Sequence, residues 1–226
     1  MVSDGMLFEP KARFSGLPEG CFELFGIADR EERRRAILEV IHPALALLAE
    51  DLLERLNPHA AEPLHSHLPR LDWPRGYQPF CTWLALSRES HGYQAGAQLN
   101  VGVHPDHVGL RLGWDTSADA FGRFEFLGRH GGLGDELRRV AADRDLAFRV
   151  FASAPWPRGS ARVFESATDL RGSFDEVRRR GIWWELGRSH ELPEALSHVS
   201  SPALGAETAR LFLNLLPIYD RIAGDT

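Results

Sequence analysis

Gln94–Trp114 reads QAGAQLNVGVHPDHVGLRLGW, and this stretch decides the fold. From Gln94 to Val103 every second residue is apolar: Ala95, Ala97, Leu99, Val101 and Val103 share one face, and Gln94, Gly96, Gln98, Asn100 and Gly102 share the other. A period of two is that of a β-strand with one face in the core. His104-Pro105-Asp106-His107 then forms a turn, because proline presets the backbone dihedral and the aspartate can bond the chain locally. Beyond it Val108, Leu110, Leu112 and Trp114 alternate with Gly109, Arg111 and Gly113. A turn centred on Pro105 and Asp106 pairs Val103 with Val108, Val101 with Leu110, Leu99 with Leu112 and Ala97 with Trp114. The two apolar faces then coincide, which fixes the register of an antiparallel hairpin.

Working outward, Phe80–Ser87 also alternates and predicts a strand with substance on both faces. Upstream, Asp29 can cap a helix whose apolar residues Ile37, Ile41, Leu45, Leu48, Leu52 and Leu56 recur at helical spacing. Pro43 lies inside it and predicts a kink or break near Val40–His42. Residues 1–20 read as an extended lead-in. Residues 118–143 read as helical pieces broken at Gly128 and Gly131-Gly132. Strands are expected over 147–153, 160–165 and 182–188, with helices around 173–180 and 207–222. Strands flanked by helices without strict alternation indicate a single-domain α+β fold, residues 1–226, with an antiparallel sheet.

The chain has 226 residues, 26 basic and 32 acidic, and a formal net charge of -6. That length supports a core without disulfides or a structural metal, and the charge disfavours a partner rich in phosphate backbone. The arginine triples at 33–35 and 178–180 read as solvated helix faces beside acidic residues. Cys21 and Cys81 form no metal-binding or redox pair and read as small apolar residues. No apolar run reaches membrane-spanning length and the N-terminus lacks a signal-peptide pattern, so a soluble, cytoplasmic protein is expected.

The polar strand face offers the first candidate site. Gly96, Gly102, Gly109 and Gly113 surround Gln98, Asn100 and Arg111, and glycines inside strands suit places where something approaches the backbone closely. That something is either a small anionic ligand, held by the Arg111 fork and oriented by Asn100 and Gln98, or an element of the protein itself. Trp83, Tyr93 and Arg188 are candidate walls of the same pocket, although the many aromatics, including Trp183 and Trp184, read first as core. His65 and His67 stand two apart on an extended segment, so their rings share a face and one could act as acid or base. No third ligand stands at metal spacing beside them, and neither a metal site nor a cofactor is assigned.

Several blocks carry a family likeness. Phe22–Ile27, Glu31-Glu32-Arg33, Ala36-Ile37, Ile41 and Pro43 resemble the N-terminal helix of the YktB-like bacterial proteins of unknown function. Thr82–Ala85, His91-Gly92-Tyr93 and Asn100–Val103 resemble that family's next blocks, and Gly187-Arg188 and Leu216–Tyr219 two later ones. The resemblance departs at His67-Leu68-Pro69-Arg70, where the family shows a basic His-Ala-Arg-Arg run. It implies a TATA-binding-protein-like fold, a curved antiparallel sheet with helices on one side, and no activity. Sequence therefore points first to a non-catalytic small-ligand-binding or regulatory module. An enzyme using His65 or His67 ranks second, and nucleic-acid binding on the sheet face third. The sequence does not assign an oligomeric state.

Overall fold

The computed structural model describes residues 13–72, 80–91, 96–116, 119–151, 161–164 and 169–223. Among the described residues seven strands form one open sheet: β1 (His65–His67), β2 (Thr82–Ser87), β3 (Ala97–Val103), β4 (His107–Asp115), β5 (Ala147–Phe151), β6 (Ala161–Phe164) and β7 (Trp183–Glu191). Their order is β1-β2-β3-β4-β7-β5-β6, and each neighbouring pair is antiparallel. The α+β expectation holds. In the central hairpin Val103 faces Val108, Asn100 faces Arg111 and Ala97 faces Trp114, the register that the apolar alternation predicts.

The helices are α1 (Arg30–Ala36), α2 (His42–Leu56), α3 (Asp119–His130), α4 (Gly132–Arg144), α5 (Leu170–Arg180), α6 (Leu196–Val199) and α7 (Pro202–Ala223). Asp29 caps α1 by accepting from the Glu32 amide at 2.8 Å. The predicted break before Pro43 is a five-residue π-turn, Ile37–Ile41. A proline ring displaces the carbonyl four residues back and offers it no amide, so the ladder widens by one residue there and restarts as α2. Ile37, Ile41, Leu45, Leu48, Leu52 and Leu56 are all fully buried.

One core lies between the helices and the apolar sheet face, where Leu84, Leu99, Val101, Leu110, Leu112, Trp114, Phe148, Trp184 and Leu186 meet Phe212, Leu215 and Tyr219 of α7 and Phe174 of α5. His42 of α2 reaches Thr82 Oγ1 of β2 at 2.8 Å.

Two expectations change, and two short elements are additional. Gly128 does not interrupt α3, because its missing side chain leaves room for the Phe174 ring, 2.8 Å from where a Cβ would stand. Phe14 and Leu17, inside the segment read as a lead-in, belong to the core. β1 and the one-turn α6 carry too few residues to show a period. The predicted turn at 155–159 lies outside the described residues, as does Tyr93.

Candidate functional site

The second sheet face is assembled by strand alternation. Trp83, Ala85 and Ser87 of β2, Gln98, Asn100 and Gly102 of β3, Gly109, Arg111 and Gly113 of β4, and Trp183, Glu185, Gly187 and Ser189 of β7 share it through the paired registers. Asn100 and Gln98 therefore flank the Arg111 hairpin as expected, with Asn100 donating to Gln98 Oε1 at 3.4 Å.

The glycines of this face are filled by the protein itself. A Cβ on Gly109 would stand 2.5 Å from the Arg111 guanidinium, one on Gly113 2.5 Å from Trp183, one on Gly102 3.1 Å from His104, and one on Gly187 2.2 Å from the Leu110 carbonyl. Arg111 folds back over Gly109, and its Nη1 lies 3.1 Å from Glu185 Oε1. Its Nη2 donates to Ser189 Oγ at 3.1 Å and to His107 Nε2 at 3.2 Å. Because that imidazole nitrogen accepts, the ring proton sits on Nδ1 and is donated to Asp106 at 2.6 Å. Glu185 also accepts from Trp183 Nε1 at 3.2 Å. Side chains absent from the strands thus make room for an internal charge network.

Arg188 does not join Arg111. It pairs with Leu110 across the ladder while Gly187 pairs with Arg111, so alternation sends Arg188 to the helix side. Trp83 is half-buried and two strands from Arg111. His67 Nε2 donates to the Glu89 carbonyl at 2.8 Å and lies 3.2 Å from Ser87 Oγ. Three strand spacings, about 14 Å, separate His67 from Arg111 along the row His67–Ala85–Asn100–Arg111. His65, on the same edge strand, is exposed.

His104 and His107 stack with ring centroids 4.1 Å apart. Burial holds the His104 pKa well below 6.5, aided by His107 and Arg111. Burial and Arg111 also lower that of His107, against the opposing pull of Asp106 and Glu191. The unfolded chain takes up protons near pH 6.5 while the folded rings resist them, so this stabilisation is full above pH 6.5 and falls as pH drops below it. Urea unfolding at pH 7.5 and 5.5 should show lower stability at the acid end, with a smaller drop in His104→Gln. Equal stability at both values contradicts this burial effect.

On the helix side of β7 a second polar cluster forms. Arg188 Nη1 contacts Glu207 Oε1 of α7 at 3.1 Å, and Glu207 Oε2 lies 2.6 Å from His198 Nε2 and 3.2 Å from His190 Nε2. His190 and Arg188 share a face of β7 because they are two apart, while α6 brings His198 above them. The two imidazoles facing it, His190 first, hold the Glu207 carboxyl down to about 2, with Arg188 adding to the effect. Beside the cluster opens a cleft of about 560 Å³ between α4, β7 and α7, lined by Arg144, Arg188, His198, Glu207, Arg210 and Asn214 among others. Sequence spacing did not reveal these residues, since His190 and His198 are separated by a loop and Glu207 lies on another element. Strand alternation in Trp183–Glu191 does place Glu185 opposite Gly113 and His190 beside Arg188.

Residues 19–118 match the family model of DUF1054, a domain of unknown function. A UPF0637 protein of Bacillus cereus (strain G9842) is 30% identical over 92 residues, 41% of this chain and 44% of that protein. UPF0637 proteins of Exiguobacterium sibiricum and Macrococcus caseolyticus are 28% and 27% identical, each over 41% of this chain and over 46% and 45% of their own lengths. The aligned stretch is thus under half the length of these curated relatives. The matched stretch contains α1, α2, β1–β4 and Arg111; Glu185, His190, His198 and Glu207 lie beyond it, as do the blocks at 187–188 and 216–219. Over residues 19–118 the chain is thus similar to the DUF1054 family and to the uncharacterised UPF0637 proteins of bacteria, the likeness its sequence blocks implied.

Proposed function

We propose that the protein is a non-catalytic small-ligand-binding module whose seat is the α4–β7–α7 cleft rather than the glycine-lined sheet face. One observation carries this. Arg144 and Arg210 line the cleft without a carboxylate in ion-pair range among the described residues, whereas Arg111 is spent on Glu185, Ser189 and His107. Arg144 is oriented by Asn214, whose Oδ1 accepts from it at 3.0 Å. Arg188 is held by Glu207 and by the Arg144 carbonyl. Of the three acidic residues lining the cleft, Glu207 is matched by Arg188, Asp143 has Arg139 3.7 Å away, and Asp145 has no ion-pair partner among the described residues. Two guanidiniums facing a concave, partly apolar space suit a small oxyanion, a phosphate or a polycarboxylate, which Arg recognises through paired hydrogen bonds.

Isothermal titration of the metal-stripped protein with inorganic phosphate and with citrate tests it. Arg210→Ala and Arg144→Ala should each weaken binding at least tenfold, as expected for loss of a charged hydrogen bond of about 1.5–3 kcal/mol. Affinities unchanged in both variants, or no binding to the wild type, would overturn the assignment. The acid/base alternative needs a histidine near the bound anion. His65 and His67 stand on the far edge strand, whereas His198 lines the cleft.

A further inference from the structure

We infer that His190, His198 and Glu207 form a three-ligand site for a divalent transition metal, zinc by preference, on the wall of the cleft. Their ligand atoms all lie within 4.8 Å of one another, and both imidazoles present Nε2 to the same carboxylate oxygen. A tetrahedral zinc with bonds of about 2.0–2.2 Å sets its ligand atoms roughly 3.4 Å apart. His190 already stands at 3.2 Å from Glu207 Oε2, so a small retreat of His198 from 2.6 Å opens the place for the ion.

Three features separate this cluster from a chance meeting of polar side chains. His190 Nε2 is buried and makes no hydrogen bond among the described residues, although it points at Glu207 from 3.2 Å. That is a lone pair, or a proton, without a proper partner, and a metal would use it. The second carboxylate oxygen is held by Arg188 at 3.1 Å, which fixes the orientation of Oε2 as outer contacts of metal ligands commonly do. Finally, His190 is carried by the sheet and Glu207 by α7, both rigid elements, so the ligands need little ordering on binding.

Two imidazoles and one carboxylate make the donor set of zinc sites that keep an open coordination position, and nitrogen donors favour zinc over magnesium or calcium. His198 and Glu207 also line the cleft, so the open position adjoins the space assigned above to an oxyanion. The site itself rests only on the three side chains. An ion there would add positive charge beside Arg144 and Arg210 and so strengthen oxyanion binding, and that coupling alone rests on the proposed function.

The experiment uses untagged full chain stripped with EDTA and titrated with zinc and, separately, cobalt, both without added anion. One equivalent of zinc should bind and raise the melting temperature, and cobalt should give the visible absorption of a four-coordinate ion. His190→Ala and His198→Ala, with melting curves matching the metal-free wild type, should each weaken zinc binding by about 100-fold or more and abolish the cobalt spectrum. Absence of saturable zinc binding, or zinc binding and cobalt spectra unchanged in the His190→Ala/His198→Ala double variant, would overturn the site. Phosphate titration of the stripped protein reports on the cleft independently, so either assignment can fail without the other.

Discussion

Arg111→Ala should lower the stability of the protein by about 3–5 kcal/mol, on the order of 10 °C in melting temperature for a domain of this size. The size of the effect comes from what is left behind. Glu185 has 4% side-chain exposure and, among the described residues, would keep only the Trp183 indole N–H as a partner, a buried carboxylate without its cation. His107 and Ser189 would lose the guanidinium protons they accept. Removing both charges together should behave differently, because exchanging a buried ion pair for apolar groups of similar size is often neutral. Arg111→Met/Glu185→Leu should regain most of the loss, leaving about 1 kcal/mol for the Trp183 N–H without its acceptor. Urea denaturation of the wild type, both single variants and the double variant measures the coupling. A single-variant loss below about 1 kcal/mol would mean that the pair is as weak as a solvated one.

Trp184→Ala should be as damaging, about 3–5 kcal/mol, for a different reason. Trp184 is 1% exposed and sits at the junction of sheet, α3 and α5. Phe174 stacks on it at 5.8 Å and 16°, Phe124 meets it edge-on at 4.9 Å, and Phe148 lies 5.8 Å away. Its indole donates to Ser173 Oγ at 3.0 Å, and that hydroxyl in turn donates to the Leu170 carbonyl. Alanine empties the space between three rings that cannot close in without moving a helix. Trp184→Phe keeps most of the volume and loses the indole hydrogen bond, so its cost should be nearer 1–2 kcal/mol. Equal losses in the two variants would place the energy in the hydrogen bond instead of the ring packing.

The central hairpin was legible because a period of two, once anchored by a turn, fixes which residues face each other. The same rule separates Trp183 from Trp184, one lying over Gly113 and the other in the core. What alternation cannot give is the occupant of a gap. Gly102, Gly109 and Gly113 read equally well as room for a ligand or for His104, Arg111 and Trp183, and only the placement of those side chains separates the cases. Arg188 obeys alternation too: Gly187 pairs with Arg111, so its neighbour Arg188 lies on the helix side, away from Arg111. The His190–His198–Glu207 cluster was hidden for another reason. Its members come from a strand, a one-turn helix and a long helix, and no spacing within one element brings them together.

The division of labour between the two sheet faces can be read from the phosphate-induced rise in melting temperature of the metal-stripped protein. If the sheet face is filled by its own charges and the cleft binds the anion, Arg111→Met/Glu185→Leu keeps that rise while Arg144→Ala/Arg210→Ala loses it. A rise that vanishes in the first variant and persists in the second would contradict it.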